Sequence, residues 1–260
     1  MSERILLFIP GYNCEKQVVR VLKKVKNSGV MKYIDEIIFV NNRSTDDSEK
    51  AVLKYKEKTE LPIRVFRNKS NYNLGGSHKV AFKYALKNKF DYVIVLHGDD
   101  QGDIRDIIPI LRSREYTQHD CMLGARFMKG SRLIGYSKFR TFGNRVYNWL
   151  FSIVTFRRIY DLGSGLNIYS TKMLKNKFYQ KFPDRLTFNY CMIMAAQHYK
   201  HNIAFFPISW REEDQVSNVK MTSQALNVLK MLFRYGIHHK YIESELRDKV
   251  VKDYYYEEIR

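Results

Sequence analysis

Residues 92–103 read YVIVLHGDDQGD: an apolar, β-branched run of strand length, Tyr92 to Leu96, that ends abruptly in His97-Gly98-Asp99-Asp100-Gln101. A buried strand that empties into glycine and paired carboxylates carries those carboxylates at its C-terminal end, where ligands bind in open α/β sheets. An oxygen-rich cluster there suits a hard divalent cation that also touches phosphate. The same residues would equally make a polar turn whose aspartates cap a helix starting near Ile104. The ends of the other strands decide between these readings.

Upstream, Arg4 to Ile9 (RILLFI) reads as a buried strand stopped by Pro10-Gly11. Val18, Val19, Leu22 and Val25 then recur at helical spacing, closed by Asn27-Ser28-Gly29. Ile34 to Val40 is a second strand, followed by the polar turn Asn41-Asn42-Arg43-Ser44-Thr45-Asp46-Asp47 and a helix carrying Ala51, Val52 and Tyr55. Pro62 to Phe66 is a third strand, and an asparagine-rich loop leads through Gly75-Gly76 into the helix Ser77 to Lys87. Four strand–helix alternations in the first hundred residues predict an α/β fold with a mostly parallel central sheet flanked by helices.

Downstream the rhythm loosens. Strands are expected at Asp120 to Phe127, Leu166 to Tyr169 and Ile203 to Ser209, and helices over 137–158, 184–199 and 224–235. Residues 240–260 read as a charged tail.

The 260 residues suffice for a sizeable core, and the net charge of +18 implies attraction to anions: nucleic acid, phosphorylated small molecules or an anionic membrane. The basic residues are scattered through the helices with no single stripe, and no nucleic-acid-reading motif interrupts the alternation, so nucleic acid is not an expected partner. Cys14, Cys121 and Cys191 have no metal-type spacing, which suits a reducing cytoplasm. No window reaches the roughly 18 apolar residues of a membrane span. Arg145 to Arg158 (RVYNWLFSIVTFRR), apolar and aromatic with basic ends, fits either a core helix or one lying at the inner face of a membrane.

Successive parallel strands bring the loops after them together. Here those loops hold Pro10-Gly11-Tyr12-Asn13, Asn41-Asn42-Arg43-Ser44, Asn73-Leu74-Gly75-Gly76 and the central HGDDQ. An aromatic ring, amides, a glycine pair opening a helix and carboxylates describe a nucleotide site with a metal at the phosphates.

The order IPGYN, VNNRSTDDS, NLGG, HGDDQ resembles the nucleotide-sugar domain of family-2 glycosyltransferases, which have the GT-A fold. GARF, RTFGN, DLGSG and PISWREEDQVSNVK are similar to that family's second half, including its polyprenyl-phosphate sugar transferases. The likeness spans roughly residues 4–221 and implies a glycosyltransferase domain over 1–221 with a C-terminal helical appendage over 222–260. It implies a nucleotide-diphosphate-sugar donor, a saccharide or polyprenyl-phosphate acceptor, and a divalent metal, Mn or Mg.

Residue by residue, the resemblance implies that Pro10 and Tyr12 border the nucleobase. Asn41 and Asn42 stand where the family commonly has aspartates on base and ribose, so neutral hydrogen bonds replace charge-assisted ones. Gly75 would let backbone approach the ribose or sugar. In the family's Asp-x-Asp pattern, Asp99 matches the second acid and Gln101 the Gln that follows it. His97 replaces the first acid, either as a nitrogen ligand favouring Mn²⁺, as a hydrogen-bond donor to phosphate, or as a structural residue. Asp100 is extra and is expected to cap the next helix. Arg126, Arg140 and Lys220 match positions facing phosphates. The acceptor-side helix, Arg185 to Tyr199, holds no Asp or Glu, which leaves Asp161, with Ser164 beside it, as the general base. A phosphate acceptor, already an oxyanion, would need none.

Overall fold

Each apolar run of the first hundred residues becomes a strand covered on both faces, which is why its hydrophobic pattern is continuous. The computed structural model describes residues 3–213 and 221–260, with side chains from Leu226 onward in the second stretch. In it β1 (Ile5–Gly11), β2 (Glu36–Asn41), β3 (Ile63–Asn68) and β4 (Tyr92–Leu96) lie parallel in the order β3-β2-β1-β4. Leu7 pairs with Ile37, and Phe8 with Val95. The two-residue period is hidden inside these runs. Leu6, Phe8, Ile38, Val40, Val93 and Val95 enter one core, while Leu7, Ile9, Ile37, Phe39, Ile94 and Leu96 enter the other. Of the connecting helices, α1 (Glu15–Asn27) adds Val18, Leu22 and Val25 to the second core. α2 (Ser48–Lys56) adds Val52 to the same side, and α3 (Asn73–Lys87) adds Val80, Phe82 and Ala85 to the first.

The remaining elements are α4 (Ile108–Ser113), β5 (Cys121–Ala125), β6 (Arg132–Ile134), α5 (Lys138–Thr155), β7 (Leu166–Ser170) and α6 (Thr171–Leu174). After them come α7 (Phe188–His198), β8 (Ile203–Pro207), β9 (Ser209–Arg211), α8 (Met221–Ile237) and β10 (Tyr256–Ile259). The main sheet runs β10-β3-β2-β1-β4-β7-β5-β8, and β6 pairs with β9 in a small second sheet. Among the described residues, four of the seven neighbouring pairs in the main sheet are parallel. β7 is antiparallel to both β4 and β5, and β10 to β3.

The C-terminal segment, expected to be a helical appendage, supplies α8 and then the edge strand of the main sheet. Tyr256 pairs with Asn68 and stacks on Phe66 at 4.5 Å between ring centroids. Glu258 accepts from Arg64 Nε at 2.8 Å, and Tyr254 is buried in the first core. The free N–H and C=O row of β3 is thereby covered, which removes an exposed edge.

Candidate ligand cleft at the strand ends

The strand order reverses between β1, followed outward by β2, and β4 on its other side, so a crevice opens at their carboxyl ends. A cleft of about 930 Å³ occupies it. Pro10, Gly11 and Tyr12 line it at the end of β1, Asn42 just after β2, Asn71 in the loop after β3, Asn73 at the start of α3, and His97 and Asp99 just after β4. Pro183, Arg185, Leu186 and Thr187, the α8 residues Asn227, Lys230, Met231 and Arg234, and Tyr241 and Asp248 line the other side. Of the residues singled out from sequence, Pro10, Tyr12, Asn42, His97 and Asp99 thus share one cavity.

Tyr12 is half exposed, its ring available to a flat partner. Asn42, by contrast, is a buried hub. Its Oδ1 accepts from Tyr72 N (2.8 Å) and Asn68 Nδ2 (2.9 Å), and its Nδ2 donates to Asn71 Oδ1 (2.8 Å). Asn41 turns away from the cleft wall, donating to Glu49 Oε2 (2.7 Å) and accepting from Ser44 N (2.9 Å). Both amides spend their hydrogen bonds on shaping the loops. Gly75 has a packing reason for lacking a side chain: a Cβ would sit 2.6 Å from the Pro183 carbonyl oxygen, and its N–H donates to Asp184 O at 2.6 Å.

At the end of β4, His97 Nδ1 lies 4.0 Å from Asp99 Oδ2. Gly165 of the DLGSG turn makes room for the imidazole, since a Cβ there would meet the ring at 2.8 Å, and His97 N donates to Gly165 O at 2.9 Å. Burial, aided by the charge of Arg126, pushes His97 down to about 4, so the ring is neutral at physiological pH and free to offer a lone pair. Its Nε2 is buried with no hydrogen-bond partner among the described residues. Asp99 Oδ1 accepts from Gln101 N at 3.2 Å. Gln101 itself is absent from the cleft lining.

Asp100, expected to cap the next helix, does something else. Its backbone is left-handed at φ 61, and its fully buried carboxylate accepts from Arg20 Nε (2.9 Å), Lys24 Nζ (2.7 Å) and Arg211. Arg211 Nε also holds the Asp100 carbonyl at 2.9 Å. The cap is Asp103, whose Oδ1 accepts from Arg105 N at 3.0 Å.

Arg126 and Asp161, expected at phosphate and as the base, are partners of each other in the structure. Arg126 Nε and Nη2 meet the two carboxylate oxygens at 2.8 Å each, and Arg126 N adds a third bond at 2.8 Å. Burial alone would lower the Arg126 pKa, but the Asp161 charge and hydrogen bonds drive it well above the ordinary arginine value. The Asp161 oxygens are occupied by a guanidinium fork and by Gly163 N (3.2 Å), and the residue lies outside the cleft lining. Ser164 donates to Leu166 O at 3.2 Å and takes no part in this pairing. Arg140 pairs with Glu212 at 2.5 Å and stacks on Tyr136. Lys220 lies outside the described residues.

Three cleft cations escaped the sequence reading: Arg185, Lys230 and Arg234. Arg185 pairs with Asp248 at 2.9 Å, whereas neither Lys230 nor Arg234 has an ion-pair partner among the described residues. Lys230 and Arg234 are one helical turn apart in QALNVLKMLFRY, the i, i+4 spacing that could have marked a shared face. Two cations in a cavity, without ion-pair partners among the described residues, suit a diphosphate.

Among the described residues no group of three or more His, Cys, Asp and Glu converges on one point. Asp99 and neutral His97 nevertheless fit a divalent cation that takes its other ligands from phosphate and water. The imidazole suits Mn²⁺ better than Mg²⁺.

Residues 7–185 match the model of Glycosyl transferase family 2. Uncharacterized protein MJ0544 of Methanocaldococcus jannaschii is 24% identical over 235 residues, covering 89% of this chain and 98% of that protein. The poly(ribitol-phosphate) beta-N-acetylglucosaminyltransferase TarS of Staphylococcus aureus is 22% identical over 257 residues, 95% of this chain but 43% of its own length. The crystal structure of S. aureus TarS 1–349 with UDP-GlcNAc superposes with a TM-score of 0.62 at 18% identity, covering 90% of this chain and 66% of that one. The mannosyltransferase PcManGT of Pyrobaculum calidifontis, in complex with GDP-Man and Mn²⁺, gives 0.56 at 13% identity, covering 93% and 65%. These likenesses show the fold, the GT-A arrangement expected from the sequence.

Proposed function

The chain belongs to glycosyl transferase family 2, and from that premise we propose that it moves a sugar, with inversion, from a nucleotide-diphosphate-sugar donor to an acceptor in surface-glycan or lipid-linked saccharide assembly. The observation that carries the reading is the meeting of Tyr12, the His97–Asp99 pair and the cations Lys230 and Arg234 in one cleft. The nucleotide-sugar complexes of the two superposed structures, one with Mn²⁺, support the donor class.

In this reading the base stacks on Tyr12. The loops pinned by Asn41 and Asn42 shape the nucleoside pocket. Lys230 and Arg234 bind the diphosphate and stabilise it as a leaving group. A divalent cation held by Asp99 and His97 would neutralise the charge developing on that leaving group. The clamp of Arg20, Lys24 and Arg211 on Asp100 fixes the backbone that aims Asp99.

A phosphate acceptor, as in a polyprenyl-phosphate sugar synthase, is favoured by a specific observation. The carboxylates lining the cleft among the described residues are Asp99 and Asp248, and Asp248 is paired with Arg185. Since Asp161 is locked to Arg126, an acceptor that is already an oxyanion fits without a base. The enzyme would then act in the cytoplasm, at the inner face of the membrane.

Incubation with a panel of UDP- and GDP-sugars, with Mn²⁺, Mg²⁺ or EDTA, tests the reaction class. Release of nucleoside diphosphate from one donor, lost in EDTA, is expected. Release of pyrophosphate would overturn the transferase reading, and turnover indifferent to EDTA would remove the metal.

A further inference from the structure

Helix α5 shows two faces. Asn148, Phe151 and Thr155 are buried, while Phe139, Phe142, Val146, Trp149 and Ile153 stand in solvent at intervals of three and four residues, one continuous stripe. Phe156 extends the stripe. It is 82% exposed and holds the left-handed backbone that ends the helix (φ 51), a conformation unfavourable for a bulky side chain. Folding alone does not account for six large apolar side chains left in water on one line.

Helix α8 packs against α5, with Gly236 set against Val154. It repeats the arrangement: Val228, Met231, Leu232 and Tyr235 are buried, and Leu226, Leu229, Phe233 and Ile237 are exposed. Val154 and Gly236, where the two helices touch, are the sequence neighbours of the exposed Ile153 and Ile237.

Charge identifies the occupant. Residues 138–158 and 221–240 contain no Asp or Glu, and apart from the cleft-lining Lys230 and Arg234 the exposed basic residues of these segments include Lys138, Arg145, Arg158 and Lys240. A second copy of the chain would set like charge against like, whereas phosphate headgroups complement these residues and acyl chains accept the stripe. Among the described residues no helix is long and apolar enough to cross a membrane. We infer that the exposed face of α5 and α8 docks in the plane of an anionic lipid bilayer. Because α8 also lines the cleft through Lys230 and Arg234, docking brings the cleft mouth to headgroup level. The docking claim stands on the surface itself and does not rest on the transfer reaction.

Trp149 is 63% exposed and the only other tryptophan, Trp210, is buried, so tryptophan emission reports on the stripe. The full chain is titrated with phosphatidylglycerol–phosphatidylcholine vesicles and with phosphatidylcholine alone, and sedimentation with the vesicles is followed in parallel. A blue shift with anionic vesicles, weakened by salt, is expected. Phe142→Glu combined with Ile153→Glu should weaken partitioning at least about tenfold, while far-UV circular dichroism stays unchanged because both sites are exposed. Absence of binding to anionic vesicles overturns the inference, as does binding that the double variant leaves intact. A dimer in sedimentation velocity that this variant dissolves would also overturn it, by assigning the face to a second copy.

Discussion

Asp99 and Asp100 are neighbours in sequence and opposites in environment. The first opens to the cleft beside His97, and the second is sealed under Arg20, Lys24 and Arg211. Asp99→Ala should therefore reduce sugar transfer by about 10²-fold or more while leaving the urea midpoint nearly unchanged. Asp161 should behave in the reverse manner. Asp161→Asn leaves a buried guanidinium without its counter-charge and should cost about 3–5 kcal/mol in urea unfolding, and Arg126→Met introduced alongside should recover part of that loss. Equal stability of Asp161→Asn and the parent would contradict the locked pair. The HGDDQ motif was legible as the end of a strand with a carboxylate at the cleft. The family pattern also singled out Asp99 as the acid at the cleft; the role of Asp100 was not legible, because it depends on a left-handed backbone and on cations 76 to 111 residues away. Arg126 matched a family position and Asp161 was the carboxylate left for a base, but their pairing is a long-range contact that no local spacing encodes.

At the scale of elements, the first four strands were readable because each apolar run is bounded by its own turn residues. The direction of β7 was not, since Leu166 to Ser170 has the same buried pattern in either orientation. β10 was hidden because a strand covering an edge needs few apolar residues, and Tyr254 to Ile259 reads as part of a charged tail. Removing residues 254–260 deletes the β10 pairing to β3 and the Tyr254 hydroxyl that Lys79 donates to at 3.0 Å inside the core. The truncated chain should lose several kcal/mol in urea unfolding, on the order of two or three buried aromatic side chains, and should aggregate through the bared edge. Unaltered stability would mean that the strand is a passive addition.

The molecule as a whole combines a net charge of +18 with two neutral histidines at its centre. Burial holds His78 down to about 3 and His97 to about 4, against about 6.5 in an unfolded chain. The unfolded state therefore binds more protons as pH falls below 6.5, so stability is fully present above that value and is lost on acidification. Between pH 6.5 and 5 the loss should be roughly 1.4 kcal/mol per pH unit for each histidine. His78→Phe, placed among Phe8, Phe82 and Phe188, should flatten that slope in pH-dependent thermal unfolding. The central claim concerns the cleft, and thermal shift with a panel of nucleoside diphosphates, with and without Mn²⁺, tests it most directly. One nucleotide should raise the unfolding temperature in the parent chain, more so with Mn²⁺. The gain should vanish in Asp99→Ala and shrink in Lys230→Ala and Arg234→Ala, as ligand linkage requires. No shift with any nucleotide, or an equal shift in all three variants, would contradict the assignment of the cleft.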